Sequence, residues 1–239
     1  MLLQGALREA AHLRLAWVLG LVAGAFAAGG GVLLELNFGA EEPRFIADYA
    51  RGTLHLWGTA LAVLLGGSLY FGALDRRTLP LLLVRGVVRA EWLLAVLLAV
   101  WVALMWLTLA VAASLWAALL WRGQSVALSD VLQALGPGYL QLCLVAVMTL
   151  AMCAVSRQLL LAAALALGLT LAAQLAPIVD WARLHGGGTA RAGWALLGAL
   201  VPDFDYLETA PPLCALLNAA GYSVLYFAGA VLAFSRREL

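Results

Sequence analysis

The sequence predicts an all-α polytopic membrane protein: six transmembrane helices, both termini cytoplasmic, short interfacial helices between spans, and one transmembrane domain over residues 1–239. Three observations carry this. Of 239 residues, 65% are hydrophobic and only 11% charged, where soluble domains carry about 25% charged. The apolar residues fall into six continuous runs, each long enough to cross a hydrocarbon core of about 30 Å as a helix. Those runs lack the apolar–polar alternation that a barrel strand needs.

Residues 1–14 read as a short interfacial helix or as a frayed tail. In the helical reading Leu3, Leu7 and Ala10 share one face, and Gln4, Arg8 and His12 recur on another. The first run, 15–36, mimics a signal peptide: Arg8 and Arg14 precede Leu15 to Gly24, and Ala25-Phe26-Ala27 resembles a cleavage site. The apolar character continues through Gly29-Gly30-Gly31 to Leu36, about 22 residues, so an uncleaved span is expected. Asn37 to Arg51 is acidic and aromatic and is expected to hold a short helix lying on the membrane. The remaining runs are roughly 52–74, 92–119, 131–155, 159–180 and 211–234. Pro177 is expected to kink the fifth. Before the last run, His185 to Glu208 opens with the flexible "HGGGTARAG" and continues as "WALLGALVPDFDYLE", too short and acidic to span.

An even number of spans puts both ends on one side, and arginine selects that side. With a cytoplasmic N-terminus, the inner segments hold Arg8, Arg14, Arg76, Arg77, Arg85, Arg89, Arg157, Arg236 and Arg237. The outer segments hold Arg44, Arg51, Arg122, Arg183 and Arg191, and nine against five follows the positive-inside rule. Trp17 and Trp92 then lie near the inner interface, and Trp57, Trp116, Trp121, Trp181 and Trp194 near the outer one.

The inner stretch "LDRRTLPLLLVRGVVRAEW" has its own pattern. Thr78 is a candidate N-cap, Pro80 suits a first helical turn, and Gly86 provides a stop. A helix from Leu79 to Arg85 is about 10 Å long and cannot span. Leu79, Leu82 and Leu83 at i, i+3, i+4 form an apolar face ringed by Arg76, Arg77, Arg85 and Arg89. Such a patch suits a groove with an acidic rim on a cytoplasmic partner. The competing reading is a basic loop that fixes topology and binds anionic lipid headgroups.

On these residues the chain resembles the permease subunits of type-2 ATP-binding-cassette exporters. Asp75, Arg77, Thr78, Leu79, Leu82, Leu83, Arg89, Glu91 and Trp92 fall on that family's cytoplasmic loop between its second and third spans. "ELNFGAEEPRFIADYARG", "LVPDFDYLE" and "VLYFAGAVLAFSRREL" extend the likeness more weakly. The chain departs from the family at Gly86, where Pro is common, and at Ala95-Val96, where Gly-Lys is common. The resemblance implies a bacterial inner-membrane exporter in which two permease subunits pair, as a homodimer or heterodimer. Each would dock a separate ATPase chain through residues 75–91, and that chain would hold ATP and Mg. Membrane lipid is a further expected partner, and no cofactor is expected in this chain.

That mechanism requires a dimer seam and a path. Gly20, Gly24 and Ala28 form a small-residue stripe on the first span, suited to such a seam or equally to packing within one subunit. Gln141, Gln174 and Asn218 are polar residues inside apolar spans, able to line a path or to bond between helices. Pro202, Asp203, Phe204 and Asp205, with Glu208, suit an outer gate or a solvated acidic edge.

Composition excludes several chemistries. There is no lysine, so neither a P-loop nor a Schiff-base centre can form, and ATP hydrolysis belongs to another chain. A net charge of +1 offers nucleic acid nothing. Cys143 and Cys153, about 15 Å apart along one helix, are too distant for a disulfide. An intramembrane enzyme is a minor alternative: His12, His55 and His185 fall near interfaces or loops, away from Ser68 and from one another. A membrane anchor or assembly subunit that transports nothing would share the six spans and the basic loop.

Overall fold

The computed structural model describes residues 42–75, 88–121, 123–124, 126–176, 198 and 200–236. The described residues are almost wholly helical: α1 (Glu42–Asp75), α2 (Arg89–Trp121), α3 (Leu128–Val155), α4 (Leu159–Gln174), α5 (Phe204–Thr209) and α6 (Pro212–Ser235). α1, α2, α3 and α6 are each long and apolar enough to cross a membrane, while α4 is apolar but has 16 residues. The expected first span, 15–36, lies outside the described residues, as do residues 1–14.

Each helix end has a local cause. Pro43 sits in the first turn of α1, where its missing N–H costs nothing. At the start of α2 the Val88 N–H donates to the Glu91 carboxylate at 3.4 Å, half of a capping box and favourable to the helix dipole. α2 ends in a Schellman turn: Gly123 takes φ 71°, its N–H reaches Leu120 O at 2.9 Å, and Gln124 N–H reaches Leu119 O at 3.0 Å. Asp203 caps α5 by accepting from the N–H groups of Asp205 and Tyr206. Pro212 opens α6.

One boundary differs from expectation. The segment ending at Arg51 does not form a separate helix on the membrane from Glu42 onward; it is the first ten residues of α1. With 34 residues α1 is about 51 Å long, well beyond a 30 Å core. Nothing between Arg44 and Arg51 breaks a helix, and the single Gly52 costs only about 1 kcal/mol. The fifth run, expected to reach residue 180, is described as helix over Leu159–Gln174. Residues 177–180, and the expected kink, lie outside the described residues.

Packing sets the helix directions. Leu54 meets Gly138, Gly58 meets Leu142 and Gly66 meets Thr149, so α1 and α3 run parallel. Gly58 is required by that approach: a Cβ there would lie 2.7 Å from Leu142 Cδ2 and 3.1 Å from its Cγ. α2 runs antiparallel to α3, tied by Trp101 Nε1 donating to Cys143 O at 3.1 Å. α4 runs against α1, with Leu159 at Gly67 and its far end beside Gly52. The start of α2 meets the end of α6. α1, α3 and α6 thus point one way and α2 and α4 the other.

α3 is the hub, touching α1, α2, α4, α5 and α6. It buries Leu142, Leu144, Met148 and Leu150 almost completely. Several hydroxyl side chains inside the apolar helices are satisfied by their own backbone. Thr108, Ser114, Thr149 and Thr170 each donate to the carbonyl four residues earlier, as membrane helices require.

Candidate functional site

The bundle carries chemistry at both ends. At one end α1 finishes, α2 begins and α6 finishes, and three aromatic rings close the junction. Tyr70, Trp92 and Phe234 are mutually packed, with centroids 5.6, 5.8 and 5.7 Å apart. Tyr70 and Phe234 are fully buried. Arg89 locks the junction from outside: its Nη1 donates to Phe234 O at 2.9 Å and Ser235 O at 3.0 Å, and its Cζ lies 5.6 Å over the Phe234 ring. A cation on the last carbonyls of α6 both satisfies them and complements the helix dipole.

Of the residues expected to couple to an ATPase, Asp75 ends α1, Arg89 begins α2 and Glu91 caps it. Arg76, Arg77, Thr78, Leu79, Leu82, Leu83 and Arg85 lie outside the described residues, as do Gly20, Gly24 and Ala28 of the expected seam. The fastened junction is therefore what stands on either side of residues 76–87.

The other end of the bundle is polar. Gln141, on α3 and 3% exposed, reaches across to α5. Its Nε2 donates to Phe204 O at 3.0 Å and to Glu208 Oε1 at 3.1 Å. Glu208 also faces His55 of α1, with Nε2 3.7 Å from Oε1, beyond hydrogen-bonding distance. Arg51, one turn before His55, pairs with Asp48 at 3.3 Å. Arg51, His55 and Glu208 border a cavity of about 220 Å³ lined also by Leu54, Leu135, Pro137 and Gly138. Pro137, inside α3, has no N–H for the carbonyl four residues back, and a Cβ at Gly138 would stand 3.7 Å from His55 Nε2.

A second cavity, about 600 Å³ and largely apolar, lies between α1 and α4 and shares His55 with the first. Gln174 and Thr170 are its polar lining on α4.

The expected path residues therefore separate. Gln141 bonds between α3 and α5, Gln174 lines the α1–α4 groove, and Asn218, half-buried on α6, lines neither cavity. In the expected gate, Pro202 and Phe204 are buried, Asp203 is the α5 cap, and Asp205 is exposed. Sequence reasoning missed Arg51 and His55. The available signal was that His55 is the one side chain between Arg51 and Asp75 able to carry charge near neutral pH, on an otherwise apolar helix; its partner on α5, far along the chain, has no such signal. Among the described residues no cluster of three or more His, Cys, Asp or Glu could hold a metal. No protein-family model matches the chain and no curated protein matches it, so a functional reading rests on the chain's own residues.

Proposed function

We propose that this chain is the membrane-spanning subunit of an ATP-driven exporter of a bacterial inner membrane, paired with a second permease subunit and driven by a separate ATPase. The observation that carries the reading is the Arg89 junction. Residues 76–87 leave from the end of α1 and return at the start of α2, and both helices are fastened there to the end of α6. A force applied to that segment would move three helices together instead of bending one. A loop that only sets topology has no use for such a base.

In this reading Leu79, Leu82 and Leu83 fill a groove on the ATPase, and Arg76, Arg77 and Arg85 meet acids at its rim. ATP and Mg stay in that partner. This chain contributes no covalent chemistry; it tilts between inward- and outward-facing arrangements. The test is affinity capture of the tagged chain in mild detergent from its native membrane. A stoichiometric soluble P-loop ATPase is expected, lost on Leu83→Glu while membrane insertion is retained. Capture without an ATPase, or an ATPase that survives Leu83→Glu, refutes docking through this loop and favours the non-transporting anchor.

A further inference from the structure

The two cavities that meet at His55 together have the shape and polarity of an amphiphile. From His55 to Asp75 is 20 residues, about 30 Å along α1, the thickness of a hydrocarbon core. His55 therefore stands at the polar boundary of the apolar stretch. The 220 Å³ cavity lies at that boundary. The apolar groove follows α1 from Gly52 to Leu64, about 18 Å along the helix axis.

The polar cavity presents both signs of charge from opposite elements. Glu208 is held in place by the buried Gln141, and His55 Nε2, 3.7 Å from the same Oε1, approaches it at ion-pair distance without a hydrogen bond. Half of the Glu208 side chain is exposed, so the cavity opens toward water. Arg51 comes from α1, and its pair with Asp48 is exposed at 48% and 70%. So exposed a pair is weak and is readily diverted to a better anion. Among the described residues Arg51, Glu208 and the ionisable His55 line the cavity. A ligand with a single charge would engage only Arg51 or Glu208 and leave the other with the partner it already has.

We propose that this chain binds a zwitterionic amphiphile, its ammonium on Glu208, its phosphate or carboxylate on Arg51, and its chain in the α1–α4 groove past His55. The site is independent of the ATPase reading, because binding is a property of this chain alone and is measured without a partner.

The experiment uses the purified full chain in a nonionic maltoside detergent, with lysophosphatidylethanolamine carrying a chain-terminal diazirine as probe. Photolabelling is mapped by mass spectrometry. Label is expected within 56–64 and 163–171. Unlabelled lysophosphatidylethanolamine should compete at least tenfold better than an alkylammonium or alkyl phosphate of equal chain length. Glu208→Gln, which keeps an oxygen for Gln141, should lower labelling about tenfold with the melting temperature unchanged. Leu171→Trp, which fills the groove, should abolish it. If Glu208→Gln destabilises the chain, Arg51→Gln at the exposed edge gives the same reading. Label spread over lipid-facing positions such as Leu160 and Leu232 overturns the proposal. So does equal competition by a singly charged amphiphile, or labelling unchanged when either charge is removed from a folded chain.

Discussion

Gly58→Ala tests the α1–α3 seam most sharply, because its effect should change sign with its neighbour. In the native chain the added Cβ falls 2.7 Å from Leu142 Cδ2 and 3.1 Å from Cγ. Leu142 is 0% exposed and surrounded, so it has little room to rotate away. Overpacking of this kind costs about 1–3 kcal/mol. Leu142→Ala alone removes a fully buried side chain and should cost about 2–5 kcal/mol. In that background the methyl added at position 58 enters the vacated space, and refilling at about 24 cal/mol per Å³ of cavity recovers somewhat under 1 kcal/mol. Any helix-propensity gain, at most about 1 kcal/mol, is common to both backgrounds and cancels from the cycle. The coupling energy should therefore be about 2 kcal/mol. The assay is reversible unfolding in mixed micelles followed by tryptophan fluorescence, on the wild type, both single variants and the double variant. Gly168→Ala, where an added Cβ meets nothing within 4 Å, is the control and should not destabilise. Additive effects of Gly58→Ala and Leu142→Ala would refute the seam as described.

Three further outcomes are expected. Arg89→Met removes two charge-assisted bonds to the end of α6, and with partial exposure should loosen that end by about 1–3 kcal/mol. Hydrogen exchange over residues 230–236 should accelerate at least fivefold, and unchanged protection would show that the aromatic rings hold the junction alone. Gln141→Leu removes the α3 bonds to Phe204 O and to the half-exposed Glu208, about 0.5–1.5 kcal/mol each; protease sensitivity across 200–210 should rise, and equal cleavage rates would count against the bond anchoring α5. Of the three free thiols only Cys214 is exposed, so a membrane-impermeant maleimide added to the non-cytoplasmic face should label it well before Cys143 or Cys153. Equal labelling of all three, or labelling of Cys214 only from the cytoplasmic face, would contradict the packing or the orientation.

Legibility from sequence followed the range of the interaction involved. The boundaries of α2, α3 and α6 fall within about three residues of the apolar runs 92–119, 131–155 and 211–234. Helix formation in a membrane is a local obligation, since every N–H must bond within its own segment. Capping residues such as Asp203 are local too. α1 exceeded its run because charge ended the apolar pattern at Arg51 but did not end the helix. Gln141 illustrates the opposite limit. Its presence in an apolar span signals a partner, and composition permits a path or an interhelical bond equally. The choice of Phe204 O and Glu208, more than sixty residues on, depends on which helices adjoin.

The sequence by itself determined that this chain is helical, that it is built for a membrane, and that its charges are confined to the segments between apolar runs. Those follow from transfer free energy and from the 3.6-residue repeat, both readable one segment at a time. Tertiary structure alone decided that α1 approaches α3 through Gly58, that Arg89 fastens α2 to the end of α6, and that His55 divides a charged cavity from an apolar groove. In a bilayer lipid is as apolar as leucine, so hydrophobicity cannot choose helix partners. Close steric fit and a few long-range polar bonds make that choice, and they exist only once the helices have met.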